Sequence, residues 1–194
     1  MDTLDNNTLV VIAVAAVLVI AVIAVLAWSA HQTRRLKNRF GPEYDAVLRR
    51  VGSKAKAEKE LRQREQRVQK FEIVPLSAND VARFSNAWSR LQGSFVDDPK
   101  GVLIEADKLV RDLLVKRGYP VADFELRAAD ISVDHPIVVS NYRSAQRIVS
   151  LDQRGEASTE DLRKAVVHFR ALFDELLGKT TMRDDATPPQ RMAA

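Results

Sequence analysis

The chain has 194 residues, no cysteine and a net charge of +4, so disulfide and thiolate chemistry are excluded. The charge is unevenly placed, because residues 31–70 carry 13 Lys or Arg against 5 Asp or Glu, whereas residues 71–194 carry 17 against 19. The segment long enough to fold is therefore not basic, which argues against a nucleic-acid-binding domain. The seven glycines form no phosphate-binding loop, and we identify neither a small-molecule substrate nor a cofactor.

An uninterrupted apolar segment runs from Leu9 to Trp28, with no charged residue, Gly or Pro. As a helix it is about 30 Å long at about 1.5 Å per residue, which matches the hydrocarbon core of a bilayer. A cleaved signal peptide needs a basic region before a shorter apolar run, whereas Asp2 and Asp5 precede this one. We therefore predict one transmembrane helix over residues 9–30, with the lipid bilayer as its partner.

The charges that flank this segment predict its orientation. Basic residues follow it at once and only acidic residues precede it, and Lys and Arg remain on the cytoplasmic side of a membrane. We expect an inner-membrane (plasma-membrane) protein with residues 1–8 as an external tail and the rest of the chain in the cytoplasm. The residues that we expect at lipid headgroups are Arg34, Arg35, Lys37 and Arg39.

Residues 31–75 predict a basic helical stalk and a connector. Gly41 and Pro42 break the first helix, and residues 43–70 then read as a thinly apolar helix. A heptad seam continued from Val47 meets charged residues at Glu58 and Glu65, so a stable coiled coil is not expected. We predict a solvated stalk held by ion pairs at i,i+4, followed by an extended connector at 71–75.

The segment 76–178 predicts a helical bundle of four long helices and one short one. Its helix starts carry side chains that accept hydrogen bonds from free backbone N–H groups. These predicted caps are Ser77 with Asp80, Asp98, and Ser158 with Asp161. The short helix is expected over residues 121–131 and the next over 137–151. No alternation typical of strands occurs, so the fold class is all-α.

Apolar residues recur at spacings of three and four in this segment, which places them on one face of each helix. We expect these faces to form the core of the bundle. The predicted core residues are Phe84, Trp88, Leu91, Leu109, Leu113, Tyr142, Phe169 and Phe173. Residues 179–194 lack periodicity and are predicted to be a disordered tail.

The three histidines do not form a metal-binding pattern. His31 follows the apolar segment, His135 lies in the turn Asp-His-Pro, and His168 lies on the last helix. No two of them have the spacing of a metal site, so we predict no metal. The turn at His135 caps the next helix, although an Asp–His pair also leaves open an enzyme with an unrecognised site there.

Several strings together resemble a family of uncharacterised bacterial single-pass membrane-anchored helical proteins. They cover roughly residues 40–177. The strings are FGPEYD (40–45), FVDDP (95–99), RGYP (117–120), DFELRAADISVDHP (123–136), GEASTEDLR (155–163) and VHFRALFDELL (167–177). The resemblance implies the membrane-anchored helical architecture, and it assigns no activity, substrate or functional residue.

Three functions remain open. The leading hypothesis is a membrane-anchored, non-enzymatic protein whose cytoplasmic helical domain binds a protein partner or a second copy of itself. The first alternative is a structural protein that binds anionic lipid through residues 34–50. The second alternative is the enzyme with a site near His135.

Overall fold

The computed structural model describes residues 6–178, with side chains described from residue 11 onward, and every regular element in this range is an α-helix. The helices are α1 (Asn6–Phe40), α2 (Pro42–Val51), α3 (Lys54–Val68), α4 (Ala78–Gly93), α5 (Pro99–Lys116), α6 (Phe124–Asp134), α7 (Val139–Gln153) and α8 (Thr159–Leu176). The all-α fold class is thus confirmed. The predicted tail at 179–194 and the first five residues lie outside the described range.

Helix α1 joins the apolar segment to the folded part without a break. It is 35 residues long, or about 52 Å at about 1.5 Å per residue, which exceeds a bilayer core. Among the described residues it is the one helix long and apolar enough to span a membrane. It begins at Asn6, inside the segment predicted as a tail, and it ends at Phe40 where Gly41 takes a positive φ of 47°.

The predicted solvated stalk is wrong, because α2 and α3 pack against the end of α1. The chain turns at Gly52, which has a φ of 70° and donates its N–H to the carbonyl of Leu48. This turn splits the single helix predicted over residues 43–70. The three helices and one residue of α6 enclose a small core of their own. Its buried members are Leu36, Phe40, Tyr44, Val47, Ala57, Leu61, Val68 and Val133. We call α2, α3 and residues 31–40 of α1 the membrane-proximal unit, a name that refers only to the adjoining apolar segment, which is long and apolar enough to span a membrane.

Helices α4 to α8 form the bundle around a second core. Helix α8 is central, since its apolar face packs against both α5 and α7. The indole of Trp88 in α4 lies 4.5 Å from the ring of Phe173 in α8, and Tyr142 in α7 lies 6.2 Å from Phe169. Six of the predicted core residues are buried here, whereas Leu91 and Leu109 are half-buried at the edge.

The helix boundaries around the short helix differ from the prediction. Helix α6 spans Phe124–Asp134 and α7 spans Val139–Gln153, each starting two or three residues later than expected. The cause at α6 is a cap, because the carboxylate of Asp123 accepts a hydrogen bond from the N–H of Leu126. Asp123 satisfies a free backbone donor and so fixes the first residue of the helix.

The connector at 71–75 contains no helix or strand and runs along the end of α5. The N–H of Val74 donates to the carbonyl of Arg117, and the ring of Phe71 meets that of Tyr119 edge to face. Phe71 is also packed against both cores. The connector is therefore part of the contact between the membrane-proximal unit and the bundle.

Candidate functional site

A charged cleft of about 660 Å³ lies where the membrane-proximal unit meets the bundle. Helices α2, α3, α6 and α7 form its walls, and arginines and carboxylates alternate around it. The charged residues that line it are Glu43, Arg50, Glu60, Arg64, Arg67, Asp123, Glu125 and Arg143. We call it the arginine cleft.

Glu43 is the central carboxylate of the cleft and is only 3% exposed. It accepts hydrogen bonds from Arg143, with one nitrogen–oxygen distance of 2.8 Å, and from Arg64 at 2.7 Å. Burial alone would raise the pKa of Glu43, but the hydrogen bonds from Arg143 and Arg64 outweigh it and hold the pKa below its ordinary value. The carboxylate therefore stays ionised at neutral pH.

Arg64 and Arg67 extend the network along α3. Arg64 is 5% exposed and also donates to Glu60 at 2.6 Å and to the hydroxyl of Ser132 at 3.0 Å. Arg67 lies 2.6 Å from the carboxylate of Asp130 in α6. Burial raises the pKa of Asp130 despite the opposing effect of Arg67. Glu43 in the cleft and Asp130 beside it are thus buried carboxylates whose pKa shifts have opposite sign.

The arginine cleft is a fixed contact between the membrane-proximal unit and the bundle. Each of its arginines bonds a carboxylate: Arg50 pairs with Glu60, Arg64 with Glu43 and Glu60, Arg67 with Asp130, and Arg143 with Glu43. Charges paired in this way are already compensated, and bidentate guanidinium pairs fix geometry as well as charge. The arrangement favours a fixed domain contact over a site for a free anion.

The four predicted headgroup residues take different roles in the structure. Arg35 and Arg39 both pair with Glu65 of α3, at 3.2 and 3.3 Å, and Arg39 also reaches Asp134 at 3.4 Å. The ammonium group of Lys37 lies 5.3 Å from the ring centre of Tyr44. Arg34 is exposed and has no ion pair within the described range. Three of the four therefore hold α1 within the membrane-proximal unit.

His135 lies beside a second cavity, of about 400 Å³, between the α6–α7 turn and α8. Its Nδ1 is 3.1 Å from the carboxylate of Glu175, and its buried Nε2 makes no hydrogen bond with any described residue. Asp134, its neighbour in sequence, instead accepts from the hydroxyl of Tyr119 and pairs with Arg39. The structure thus contains a His–Glu pair where the sequence indicated an Asp–His pair.

His168 has a structural partner. Its Nδ1 lies 2.9 Å from the side-chain oxygen of Asn141, so α8 and α7 are joined by this hydrogen bond. His31 is exposed on α1 just beyond the apolar segment. Within residues 6–178, no group of three or more His, Asp or Glu side chains has the arrangement of a metal site.

The predicted caps lie at helix starts. Ser158 and Asp161 form a full capping box at α8, and Asp98 accepts from the N–H of Gly101 at α5. At α4 the hydroxyl of Ser77 accepts from the N–H of Asp80. The carboxylate of Asp80 accepts from that same hydroxyl and pairs with Lys116 of α5.

A groove of about 630 Å³ lies between α4 and α5 and is lined by both apolar and charged side chains. Leu91, Val102 and Leu109 form its floor, and Ile104 at its edge is 62% exposed. Only Phe84 and Trp88 of α4 are fully buried, so this helix covers the bundle incompletely. Exposed apolar surface of this kind is typical of protein–protein contact.

The arginine cleft could not be predicted from the sequence because its partners are far apart in the chain. Glu43 and Arg143 are separated by 100 residues, and Arg64 and Ser132 by 68. The sequence carries a signal only for the neighbouring contacts of α3 with α1 and α2, since Glu58 and Glu65 occupy the apolar seam of α3 and both are buried. A carboxylate in a seam indicates a cationic or hydroxyl partner on a neighbouring helix.

Comparison of the chain with models of known protein families, with curated proteins and with solved structures found no match.

Proposed function

We propose that this chain is a single-pass membrane protein that presents its helical bundle in the cytoplasm as a protein-interaction module. In this proposal packed contacts fix the bundle relative to the transmembrane helix, and no flexible stalk connects the two. The interaction role therefore includes orientation, because a partner would meet the bundle at one angle and one distance from the membrane.

The continuity of α1 is the observation that carries this proposal. From Val11 to Trp28 every residue of α1 is exposed, as in a lipid-facing helix, while Leu36 and Phe40 at its other end are 0% exposed. One end of this continuous helix would lie in the bilayer and the other is buried in the folded domain. The helix would therefore fix the position of the domain relative to the bilayer. The ion pairs of Arg35 and Arg39 with Glu65 add to this rigidity.

The flanking charges support the cytoplasmic orientation. Thirteen Lys or Arg lie within residues 31–70, while Asp2 and Asp5 precede the apolar segment. The positive-inside rule applies to charges close to the membrane, and most of these lie on the helices nearest to the end of the span. The plasma (inner) membrane is the proposed location.

Reporter fusions test the orientation. A reporter active only in the cytoplasm and one active only outside are each fused after Gly178, and their activities are compared in intact cells. Cytoplasmic activity alone supports the proposal. External activity would overturn the orientation and move the search for partners to the outside of the cell.

Site-specific photo-cross-linking tests the interaction role. A photo-reactive residue at Ile104, at the edge of the groove between α4 and α5, is compared with one at Val167 on α8; these side chains are 62% and 55% exposed. We expect a discrete adduct in membranes from position 104 and none from position 167. The mass of the adduct distinguishes a second copy from a different protein, and the same weak smear from both positions would contradict the proposal.

A further inference from the structure

We infer that the turn between α2 and α3 lies at the membrane surface and contacts anionic lipid headgroups through a basic collar. The collar consists of the exposed residues Arg34, Arg49, Lys54 and Lys56. The inference rests on the proposed membrane anchor and cytoplasmic orientation. It replaces the predicted headgroup residues Arg35, Lys37 and Arg39 with residues that are more distant in sequence.

The direction of α3 relative to α1 places this turn. The hydroxyl of Thr33 in α1 donates to Glu58 in α3 at 2.7 Å. Arg39, six residues further along α1, pairs at 3.3 Å with Glu65, which is seven residues further along α3. Both helices therefore advance away from the apolar segment in the same sense. The start of α3 and the turn before it consequently face the membrane end of the unit.

Helix geometry gives the height of the turn. Thr33 lies five residues beyond Trp28, or about 7.5 Å at about 1.5 Å per residue. Lys54 lies four residues before Glu58, which returns the chain by about 6 Å along α3. Lys54 is thus close to the level of Trp28, within the Debye length of about 8 Å at physiological salt.

The turn is held at that height by buried contacts. Gly52 closes α2 with a left-handed conformation and a hydrogen bond to Leu48. On either side of it Val47 and Ala57 are buried, and the hydroxyl of Tyr44 donates to Glu58 at 3.1 Å. A turn fixed in this way presents its basic side chains in one direction.

The collar charges are available for an external partner. Among the described residues, Arg34, Arg49 and Lys56 make no ion pair. Lys54 reaches Glu58 only at 3.8 Å and its side chain is 56% exposed, a geometry that contributes little. By contrast, Arg50 is bonded to Glu60 and Arg35 to Glu65.

Anionic lipid is the partner that this placement favours. Long basic side chains extend toward headgroups while their stems lie on apolar surface. Each basic residue near an anionic surface favours contact by about fivefold, and the effect decays within a Debye length. A soluble acidic partner would have to reach the collar in the narrow space beside the bilayer.

A depth measurement on the full chain tests the inference. The chain has no native cysteine, so a fluorophore is attached through Ser53→Cys, at a residue whose side chain makes no cap bond. The protein is inserted in nanodiscs of phosphatidylcholine, with or without phosphatidylglycerol, that contain a headgroup-attached quencher. We expect about twofold stronger quenching with phosphatidylglycerol and loss of the difference at high salt.

A charge-matched pair of variants identifies the residues responsible. The test variant combines Arg49→Gln, Lys54→Gln and Lys56→Gln, which should abolish the dependence on phosphatidylglycerol. The control combines Arg90→Gln, Lys108→Gln and Arg147→Gln, which removes the same charge from exposed positions of the bundle and should leave the dependence intact. Equal responses of the two variants overturn the inference.

A second label separates failure of the collar from failure of the anchor. Ala15→Cys carries the same fluorophore in the apolar segment, where a quencher on the acyl chains should reach it. If that label is not quenched, the anchor in the proposed function fails, and the inference fails with it. If it is quenched while the quenching at Ser53→Cys does not depend on phosphatidylglycerol, the proposed transmembrane helix is supported and the headgroup contact is overturned.

Discussion

The buried carboxylate of Glu43 in α2 is clamped by the guanidinium of Arg143 in α7, a residue 100 positions further along the chain. Arg64 of α3 donates to the same carboxylate from a second side at 2.7 Å. Three helices are thus joined at one ionised group that is 3% exposed. This contact connects the membrane-proximal unit to the bundle, so it also fixes how the bundle is placed relative to α1.

Replacement of Glu43 by Gln should destabilise the chain strongly. The change keeps the shape of the side chain but removes the buried carboxylate that pairs with the half-buried Arg143 and with the buried Arg64. Removing one partner of a buried ion pair costs about 3 kcal/mol or more, and Arg64 keeps Glu60 and Ser132, which favours the lower end. Urea unfolding of the full chain in detergent micelles, followed by circular dichroism, measures the loss.

Glu160→Gln is the matched control for this prediction. Glu160 also bonds an arginine, Arg163, at 2.7 Å, but both side chains are more than half exposed. Solvent-exposed pairs contribute little to stability, so no measurable change is expected. Equal losses in the two variants would show that burial of Glu43 does not matter.

The same carboxylate predicts sensitivity to acid. The pKa of Glu43 is lower in the folded chain than its ordinary value of 4.5, so the folded state binds this proton more weakly than the unfolded state. Its stabilising contribution is full above the unfolded pKa and is lost as the pH falls through the folded one. Urea midpoints between about pH 6 and pH 3 should therefore fall less in Glu43→Gln than in the native chain. A parallel decline of the two curves would contradict the prediction.

The buried phenol of Tyr142 leads us to expect a loss of folding stability at alkaline pH. Burial raises its pKa from 10 to about 12, and its ring packs against Phe124 and Phe169. Because the folded state keeps the phenol protonated, this contribution is full below about pH 10 and is lost as the pH rises toward the folded pKa. Thermal unfolding between these values should show a steeper decline in the native chain than in Tyr142→Phe. Phenolate absorbance supplies an independent measurement of the same pKa.

Phe40→Ala tests whether α1 is part of the fold. The Phe40 side chain is 0% exposed at the end of the helix that carries the apolar segment, and truncation of a buried Phe costs about 3–5 kcal/mol. Val22→Ala is the control, because Val22 is 57% exposed in the apolar segment and touches no core. Urea unfolding in micelles should show a large loss for the first variant and none for the second. A solvated stalk would make both harmless.

The helices outside residues 43–70 could be predicted from sequence because their signals are local. The capping box of Ser158 and Asp161 involves residues three apart, and the face of α8 that bears Phe169 and Phe173 repeats at helical spacing. Such features need no knowledge of the rest of the chain. The break at Gly41, which has a positive φ, was predicted for the same reason.

The membrane-proximal unit could not be predicted because its stability depends on contacts between helices. Glu58 and Glu65 looked like interruptions of an apolar seam, but Thr33 and Tyr44 bond the first and Arg35 and Arg39 the second. A buried carboxylate is costly without partners and acceptable with them. Only the fold shows that the partners come from α1 and α2.

Gly118→Ala should be among the most damaging single-methyl changes in the chain. Gly118 has a φ of 96°, and a Cβ there would lie 2.1 Å from the carbonyl oxygen of Glu72 in the connector. That oxygen cannot move freely, because the N–H of Val74 is bonded to Arg117 at 2.9 Å. Two effects therefore destabilise the variant: left-handed backbone strain of about 1–2 kcal/mol and the clash with the Glu72 carbonyl. Gly155→Ala is the control, since its φ of 72° carries similar strain while its Cβ would meet nothing within 4 Å. Thermal unfolding should show a clearly larger fall in the midpoint temperature for Gly118→Ala than for Gly155→Ala, at about 2–4 °C per kcal/mol. Equal falls in the two variants would contradict the prediction, since they would mean that the connector can move away from the end of α5.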